Sequence, residues 1–302
     1  ESSLSTEIDV AALFPDKPTG VVTVSDEGRT YIITDLFPIE IGQATTLIIE
    51  AGVKIVVESE TGGLDVRGTL RVNGTDDDPV SIGPSGCPGD DETWGGVYFV
   101  GAEARGEIAH MNVYNSQYGV TASDFAELAM DSSSVFGTDG NGISVSDQAS
   151  AELHGVTVWD NGKGVVAINA DVLLDACSIR YSGGPGVSLS GASVVTITNC
   201  LIASNDGNGI ELVSDAAPVV HGCTFFFNGP AGGTGYDIRL LRPYGEVAAI
   251  DAENNYWAAT DSVTIADRIF DNLDDGAIGA RVDFIPWLDQ EPLAATAERR
   301  GR

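Results

Sequence analysis

The stretch Gly96-Val-Tyr-Phe99 decides the fold, because its pattern returns at Gly119-Val-Thr-Ala122 and again at Gly142-Ile-Ser-Val145. Further copies begin at Gly164, Gly186, Gly209 and, more loosely, Asp237. The first six copies are 23, 23, 22, 22 and 23 residues apart, and a glycine-rich insertion lengthens the last gap to 28. A fixed period of this size is typical of solenoids, propellers and arrays.

Apolar residues recur in register from copy to copy and alternate with polar ones, as in strands rather than helices. The first apolar column comprises Val97, Val120, Ile143, Val165, Val187, Ile210 and Ile238. The second comprises Val113, Val135, Val158, Ile179, Ile202 and Phe225. The third comprises Met111, Ser133, Val156, Cys177, Cys200 and Cys223. Three columns in about 22 residues predict three short strands per coil, each pairing with its counterpart about 4.8 Å away. A propeller blade would need about 40 residues. We therefore predict an all-β, right-handed, single-stranded parallel β-helix.

The periodic pattern extends over most of the chain and indicates one domain over residues 1–288. Within it we expect N-terminal coils over 20–93, regular repeats over 94–254 and a C-terminal cap over 255–288, followed by a polar tail over 289–302. The cap should contain a short helix that begins after Asp261, with Ile265, Ile269 and Leu273 on one face and Gly276 after it. Residues 282–288 should form a last strand.

The strongly negative charge of the chain disfavours some classes of binding partner. The formal net charge is −30, with 45 acidic and 15 basic residues. This balance disfavours nucleic acid, whose phosphates need Lys and Arg, and no stretch reaches the roughly 20 apolar residues of a membrane span. The chain begins at Glu1 rather than Met, which indicates a removed signal peptide or a trimmed chain.

Three segments carry a family resemblance. They are Thr46–Ile55 with Pro79-Val-Ser-Ile82, then Trp94-Gly-Gly-Val-Tyr-Phe99, then Asn254-Asn-Tyr-Trp257 with Val282-Asp-Phe-Ile-Pro286. Over roughly residues 20–288 the chain resembles secreted bacterial and archaeal β-helix proteins of the pectate-lyase-like superfamily. The resemblance implies the fold and a secreted or cell-surface location, and it implies activity only weakly. Ala258 replaces the glycine that usually follows the Tyr-Trp pair.

Outward positions are where enzymes of this superfamily carry their catalytic groups. After the repeat glycine the outward column is Tyr98, Thr121, Ser144, Val166, Ser188, Glu211 and Arg239. It contains no carboxylate cluster, which argues against catalysis and leaves the catalytic set empty. A second polar column, Asp131, His154, Asp175, Thr198 and His221, could hold a metal or an acid–base pair, or it could be a solvated strand edge with ion pairs.

An aromatic column is the candidate binding site. Outward from the second apolar column we expect Tyr114, Phe136, Trp159 and Arg180 on consecutive coils, which we call the aromatic stripe. Aromatic faces contact sugar rings and partner proteins. The alternative is that a loop or the N-terminal segment covers the stripe.

No cofactor is indicated by the sequence, although calcium is possible. Its weak candidate ligands are the carboxylates of Asp271, Asp274 and Asp275, which match no EF-hand loop. The three in-register cysteines are expected to be stacked, buried free thiols.

We expect an extracellular binding or structural module that contacts a glycan or an extracellular protein, with self-association through its strand edges as a further role. The alternative is a polysaccharide lyase or glycoside hydrolase. A groove with three carboxylates and a basic residue would favour the enzyme, and an uncovered aromatic stripe would favour binding.

Overall fold

The chain winds into a stack of coils whose strands form three parallel sheets, and these sheets are the walls of a tube. The computed structural model describes residues 7–14, 19–86, 92–213, 216–230, 235–241 and 249–292. Cys87 and most of the predicted tail lie outside these residues. In one coil the chain runs through Met111–Tyr114, Val120–Ser123 and Glu127–Asp131, and the next coil begins at Ser134–Phe136. Each strand pairs in parallel with its counterpart one coil away, as predicted.

The strands of the described residues fall into sheets A, B and C. Sheet A contains Glu7–Asp9, Thr30–Ile33, Lys54–Val57, Val80–Gly83, Met111–Tyr114, Ser134–Phe136, Thr157–Trp159, Ser178–Arg180, Leu201–Ala203 and Thr224–Phe226. Sheet B contains Gly20–Val24, Thr45–Glu50, Thr69–Asn73, Arg105–Ala109, Glu127–Asp131, Ser150–His154, Asp171–Asp175, Val194–Thr198, Val219–His221, Ile250–Asp251 and Val282–Asp283. Sheet C contains Ile39–Ile41, Gly63–Val66, Gly96–Val100, Val120–Ser123, Asn141–Ser146, Lys163–Ile168, Val187–Ser190, Ile210–Val213, Ile238–Leu241 and Ile269–Phe270.

The first two predicted columns lie inside the coil and form one continuous apolar core with the side chains of the third sheet. Val97 pairs with Val120 in sheet C, and Val113 pairs with Val135 in sheet A, so both columns are confirmed. The prediction was wrong about the third wall. Its inward column is Ile108, Met130, Leu153, Leu174 and Ile197 in sheet B. The cysteine column instead lies at the start of the sheet A strands, where Met111 already belongs to the strand.

The cysteines are stacked inside the tube. Cys177, Cys200 and Cys223 are free and at most 3% exposed. The backbone N–H of Cys177 donates to Sγ of Cys200 at 3.4 Å. A hydrogen bond with Cys200 and burial raise the pKa of the Cys177 thiol, and burial does the same for Cys200. The stack that the period of 23 residues predicts is therefore confirmed.

A buried polar ladder holds the turns between sheets A and C. Oδ1 of Asn161 accepts a hydrogen bond from the backbone N–H of Thr138 at 2.9 Å, and its Nδ2 donates to the carbonyl of Val135 at 3.1 Å. Asn205 repeats this pattern two coils later, on Ser182 and Ile179. These amides satisfy backbone groups that the turn removes from the sheets and from water.

Short helices occur near both ends of the described chain. A 3₁₀ helix, Val10–Leu13, follows its capping residue Asp9. The helix Ser262–Ala266 begins after Asp261, whose carboxylate accepts from the N–H of Thr264 at 2.9 Å, as predicted. It ends earlier than expected, because Ile269 leaves the helix to pair with Ile238 as the last strand of sheet C. The predicted final strand shrinks to Val282–Asp283.

Candidate functional site

The aromatic stripe lies on the outer face of sheet A. Tyr114, Phe136, Trp159 and Arg180 are register partners on consecutive coils. The rings of Tyr114 and Phe136 stack with centroids 5.7 Å apart and an interplanar angle of 17°. Those of Phe136 and Trp159 stack at 4.7 Å and 10°. The pleat fixes this parallel stack, because every second side chain of a strand points outward and the coils repeat in register.

The N-terminal end of the stripe is covered. Tyr114 is 6% exposed, and its hydroxyl donates to the carbonyl of Pro84 at 3.3 Å. Its ring occupies the space above Gly83, where an added Cβ would lie 2.4 Å from Cζ of Tyr114. Tyr114 therefore points outward as predicted, but it anchors the start of the segment after Gly83 and offers no surface to a ligand, so its predicted role as a ligand contact was wrong.

Phe136, Trp159 and Arg180 remain partly exposed. The guanidinium of Arg180 lies 5.9 Å from the ring centroid of Tyr181, a cation–π contact that continues the line of flat groups. The column beside the stripe is neutral, since Ser134 and Thr157 are register partners there. The exposed part of the stripe is thus two parallel rings followed by a cation and bordered by hydroxyl groups.

Sheet C carries two carboxylates that the sequence analysis missed. Its outward column extends upstream of Tyr98 to Asp65 and Glu40. Asp65 forms an ion pair with Arg67 at 3.0 Å, while its Oδ1 is buried and has no hydrogen-bond partner. The hydroxyl of Tyr98 donates to the carbonyl of Gly95, and burial raises the pKa of Tyr98 to about 12, so the phenol stays protonated at neutral pH. The signal was present in Gly63-Leu-Asp-Val66, which has the repeat pattern.

The polar column of sheet B consists of separate pairs. Nδ1 of His154 lies 3.7 Å from Oδ2 of Asp175, whose Oδ1 accepts from the hydroxyl of Thr198 at 2.7 Å. The hydrogen bonds from the side chains of Thr198 and Asn199 lower the pKa of Asp175. His221 pairs separately with Asp251 at 2.7 Å. Among the described residues, no three His, Cys, Asp or Glu side chains converge as metal ligands would.

The three carboxylates that are weak calcium candidates accept hydrogen bonds within the turn in which they lie. Asp271 is 4% exposed. Its Oδ1 accepts from the N–H of Leu273 and its Oδ2 from that of Val282, both at 2.8 Å. Asp274 and Asp275 accept from the backbone N–H groups of Asp271 and Ala277. Each oxygen of Asp271 keeps a second lone pair, but its burial leaves a calcium ion little room for the roughly six to eight oxygen ligands that it takes.

Comparisons with known proteins bear on the fold. Residues 95–240 match the family model described as the right handed beta helix region. No curated protein matches the chain. A solved structure of a mutant of the periplasmic alginate epimerase AlgG aligns at 12% identity and a TM-score of 0.42, over 94% of this chain and 75% of that one. The described residues contain no helix with the length and apolarity that a membrane crossing requires. The match to that family model, together with the three parallel sheets, identifies the chain as a right-handed parallel β-helix.

Proposed function

We propose that this chain is a secreted or cell-surface binding module whose aromatic stripe holds an uncharged polysaccharide. The observation that carries the proposal is the parallel stack of Phe136 and Trp159, partly exposed on the outer side of sheet A. Because the stacked rings cover one another's faces, they present their edges outward as a narrow apolar strip. The apolar face of a sugar ring can pack on this strip while its hydroxyl groups meet Ser134 and Thr157 beside it. The secreted location rests on the sequence resemblance.

The small size of the platform favours a glycan over a folded protein. An aromatic side chain offers about 150–250 Å², so two partly buried rings expose at most about 200 Å² between them. A stable protein interface needs roughly 800 Å² on each partner. A narrow row of rings instead fits a single polysaccharide strand.

Electrostatics favours an uncharged ligand. The net charge of −30 repels polyanions over the whole surface. The stripe and its neighbouring column contain no carboxylate, and Arg180 is their single charged group. A neutral chain therefore meets the stripe without the repulsion that an acidic polymer would face.

A lyase or hydrolase is the second candidate, and the outward column of sheet C is the observation in its favour. Glu40 and Asp65 lie there on adjacent coils, with Arg67 paired to Asp65. This set has two carboxylates rather than three, and its arginine is already neutralised by Asp65. The aromatic stripe is on a different sheet, so the two candidates can be separated by mutation.

The proposal is tested by titrating the protein with soluble glucans, mannans, xylans and galactans, each with a carboxymethylated counterpart. We expect at least one neutral polymer to bind. Trp159→Ala should weaken that binding about tenfold, the equivalent of about 1.4 kcal/mol. The expected loss is modest because the ring is only partly exposed before binding and so buries little additional surface. Phe125→Ala is the matched control, since Phe125 is 54% exposed in a turn on another side of the coil. Failure of every polymer to bind, binding that ignores Trp159, or binding of a folded protein alone would overturn the proposal.

A further inference from the structure

From Met111–Tyr114 onward, the residue that follows each sheet A strand has the same unusual backbone conformation. Its φ is positive in coil after coil, at 51° for Asn115, 66° for Gly137 and 56° for Asp160. Glycine, asparagine and aspartate tolerate this left-handed region, whereas bulky side chains rarely adopt it. The position therefore has a clear compositional preference in the first coils.

Two aromatic residues depart from that preference. Tyr181 and Phe227 occupy the same position with φ of 56° and 54°. Their side chains are 43% and 80% exposed, so burial does not compensate for the backbone strain. An exposed aromatic residue held in a strained backbone conformation is a candidate for a function of its side chain.

Phe227 stands next to the far end of the stripe column. Phe226 follows Arg180 and Ala203 in register, three coils beyond Trp159, which is about 14 Å along the axis. The rings of Phe226 and Phe227 are in edge-to-face contact with centroids 5.3 Å apart. The intervening Ala203 is 2% exposed, so a ligand on this track would contact the residues that cover Ala203 rather than Ala203 itself.

We infer that Phe226 and Phe227 form a second platform on the same track, so that the ligand is a linear chain lying along the coil axis and contacting both ends. Tyr181, beside Arg180, lies between the platforms. The inference rests on the proposed function and adds the length and direction of the ligand. A single sugar ring could occupy either platform, but it could not reach both.

The test measures affinity against ligand length, with cello-, manno- and xylo-oligosaccharides from disaccharide to octasaccharide. Phe227→Asn removes the ring and supplies a residue suited to positive φ, so this variant should fold at least as stably as the parent protein. Phe125→Asn is the matched control, because Phe125 is an exposed phenylalanine with φ of 68° in a different turn. Trp159→Ala reports on the first platform in parallel.

We expect affinity to rise with length until both platforms are spanned. Phe227→Asn should weaken the longest oligomers about tenfold and leave the disaccharide unchanged, whereas Phe125→Asn should change neither. If Phe227→Asn has no effect, or affects short and long oligomers equally, the inference is overturned, and Trp159-dependent binding would still uphold the proposed function. If a neutral polymer binds but no oligosaccharide up to the octasaccharide does, the inference alone is overturned. If neither polymers nor oligosaccharides bind, both are overturned.

Discussion

Replacing Asn205 by alanine should cost this protein several kcal/mol, although the change removes a polar residue from an otherwise apolar tube. Asn205 is 0% exposed. Its Oδ1 accepts from the N–H of Ser182 at 3.0 Å, and its Nδ2 donates to the carbonyl of Ile179 at 3.3 Å. Alanine leaves the N–H of Ser182 buried and without this acceptor, which costs about 1–3 kcal/mol, and it removes one donor from the carbonyl of Ile179, which costs about 0.5–1.5 kcal/mol. The expected loss is therefore about 2–4 kcal/mol.

The assay is urea unfolding, with the midpoint compared at equal slope, together with amide exchange at Ser182. Asn73→Ala is the control, since Asn73 is exposed at the end of a sheet B strand and should change stability by less than about 0.5 kcal/mol. The N–H of Ser182 should lose its protection before those of distant coils, because a solenoid transmits damage mainly to its neighbours. Equal midpoint shifts in the two variants would refute the view that buried amides hold the turns.

Four further predictions follow from charges and burial. Burial raises the pKa of Asp237 to about 6 despite its ion pair with Arg268, so the folded state binds this proton more tightly than the unfolded state. The free energy of unfolding should therefore fall as pH rises from about 4 to 6, and Asp237→Asn should remove that component from urea midpoints, whereas an unchanged profile would contradict it. Raising NaCl should raise Tm, because screening relieves the self-repulsion of a net charge of −30, and a fall in Tm would contradict this. In a Cys87→Ser variant, the remaining thiols should react with a thiol reagent only on unfolding, and fast reaction of the native protein would count against the buried stack. Calcium should shift Tm no more than magnesium does, because Asp271 is buried and already hydrogen-bonded to the backbone. A rise in Tm that is specific to calcium would contradict this prediction and support a calcium site at Asp271.

The period of the sequence was sufficient to predict the winding of the chain. Val97, Val113 and Cys177 each lie in the register that a repeat of 22 or 23 residues requires. The sheet B wall was missed because its strands alternate apolar residues with Asp131 and His154. That polar column was interpreted as a strand edge and not as the outward face of a third sheet.

Tertiary contacts explain the other differences. Tyr114 has the same spacing as Phe136 and Trp159, and only the absent side chain at Gly83 allows its ring to be covered. The apolar pattern after Asp261 predicts a helix that extends past Ala266, but in the structure Ile269 is in a strand that pairs with Ile238. Neither effect can be obtained from local periodicity.

The buried polar ladder has a sequence signature that the sequence analysis overlooked. Asn161 is followed directly by glycine, as is Asn228, and Asn205 is followed by Asp-Gly. Asparagine beside glycine is an ordinary turn signature. What the sequence cannot supply is that these amides point inward, where Asn205 donates to Asn228 at 3.0 Å and so links neighbouring coils.

The fluorescence of Trp159 tests the central claim most directly, namely that the outer face of sheet A holds the ligand. Trp94, Trp257 and the partly exposed Trp287 all remain in a Trp159→Phe variant, which also keeps an aromatic ring in the stack. Subtracting the signal of that variant therefore isolates the one tryptophan of the stripe. Titration with the best-bound neutral polysaccharide should then give a saturable blue shift in the difference spectrum, as the sugar displaces water from the exposed part of the indole. A spectral change of equal size in both proteins, or no change at saturation, would place the ligand elsewhere and contradict the account.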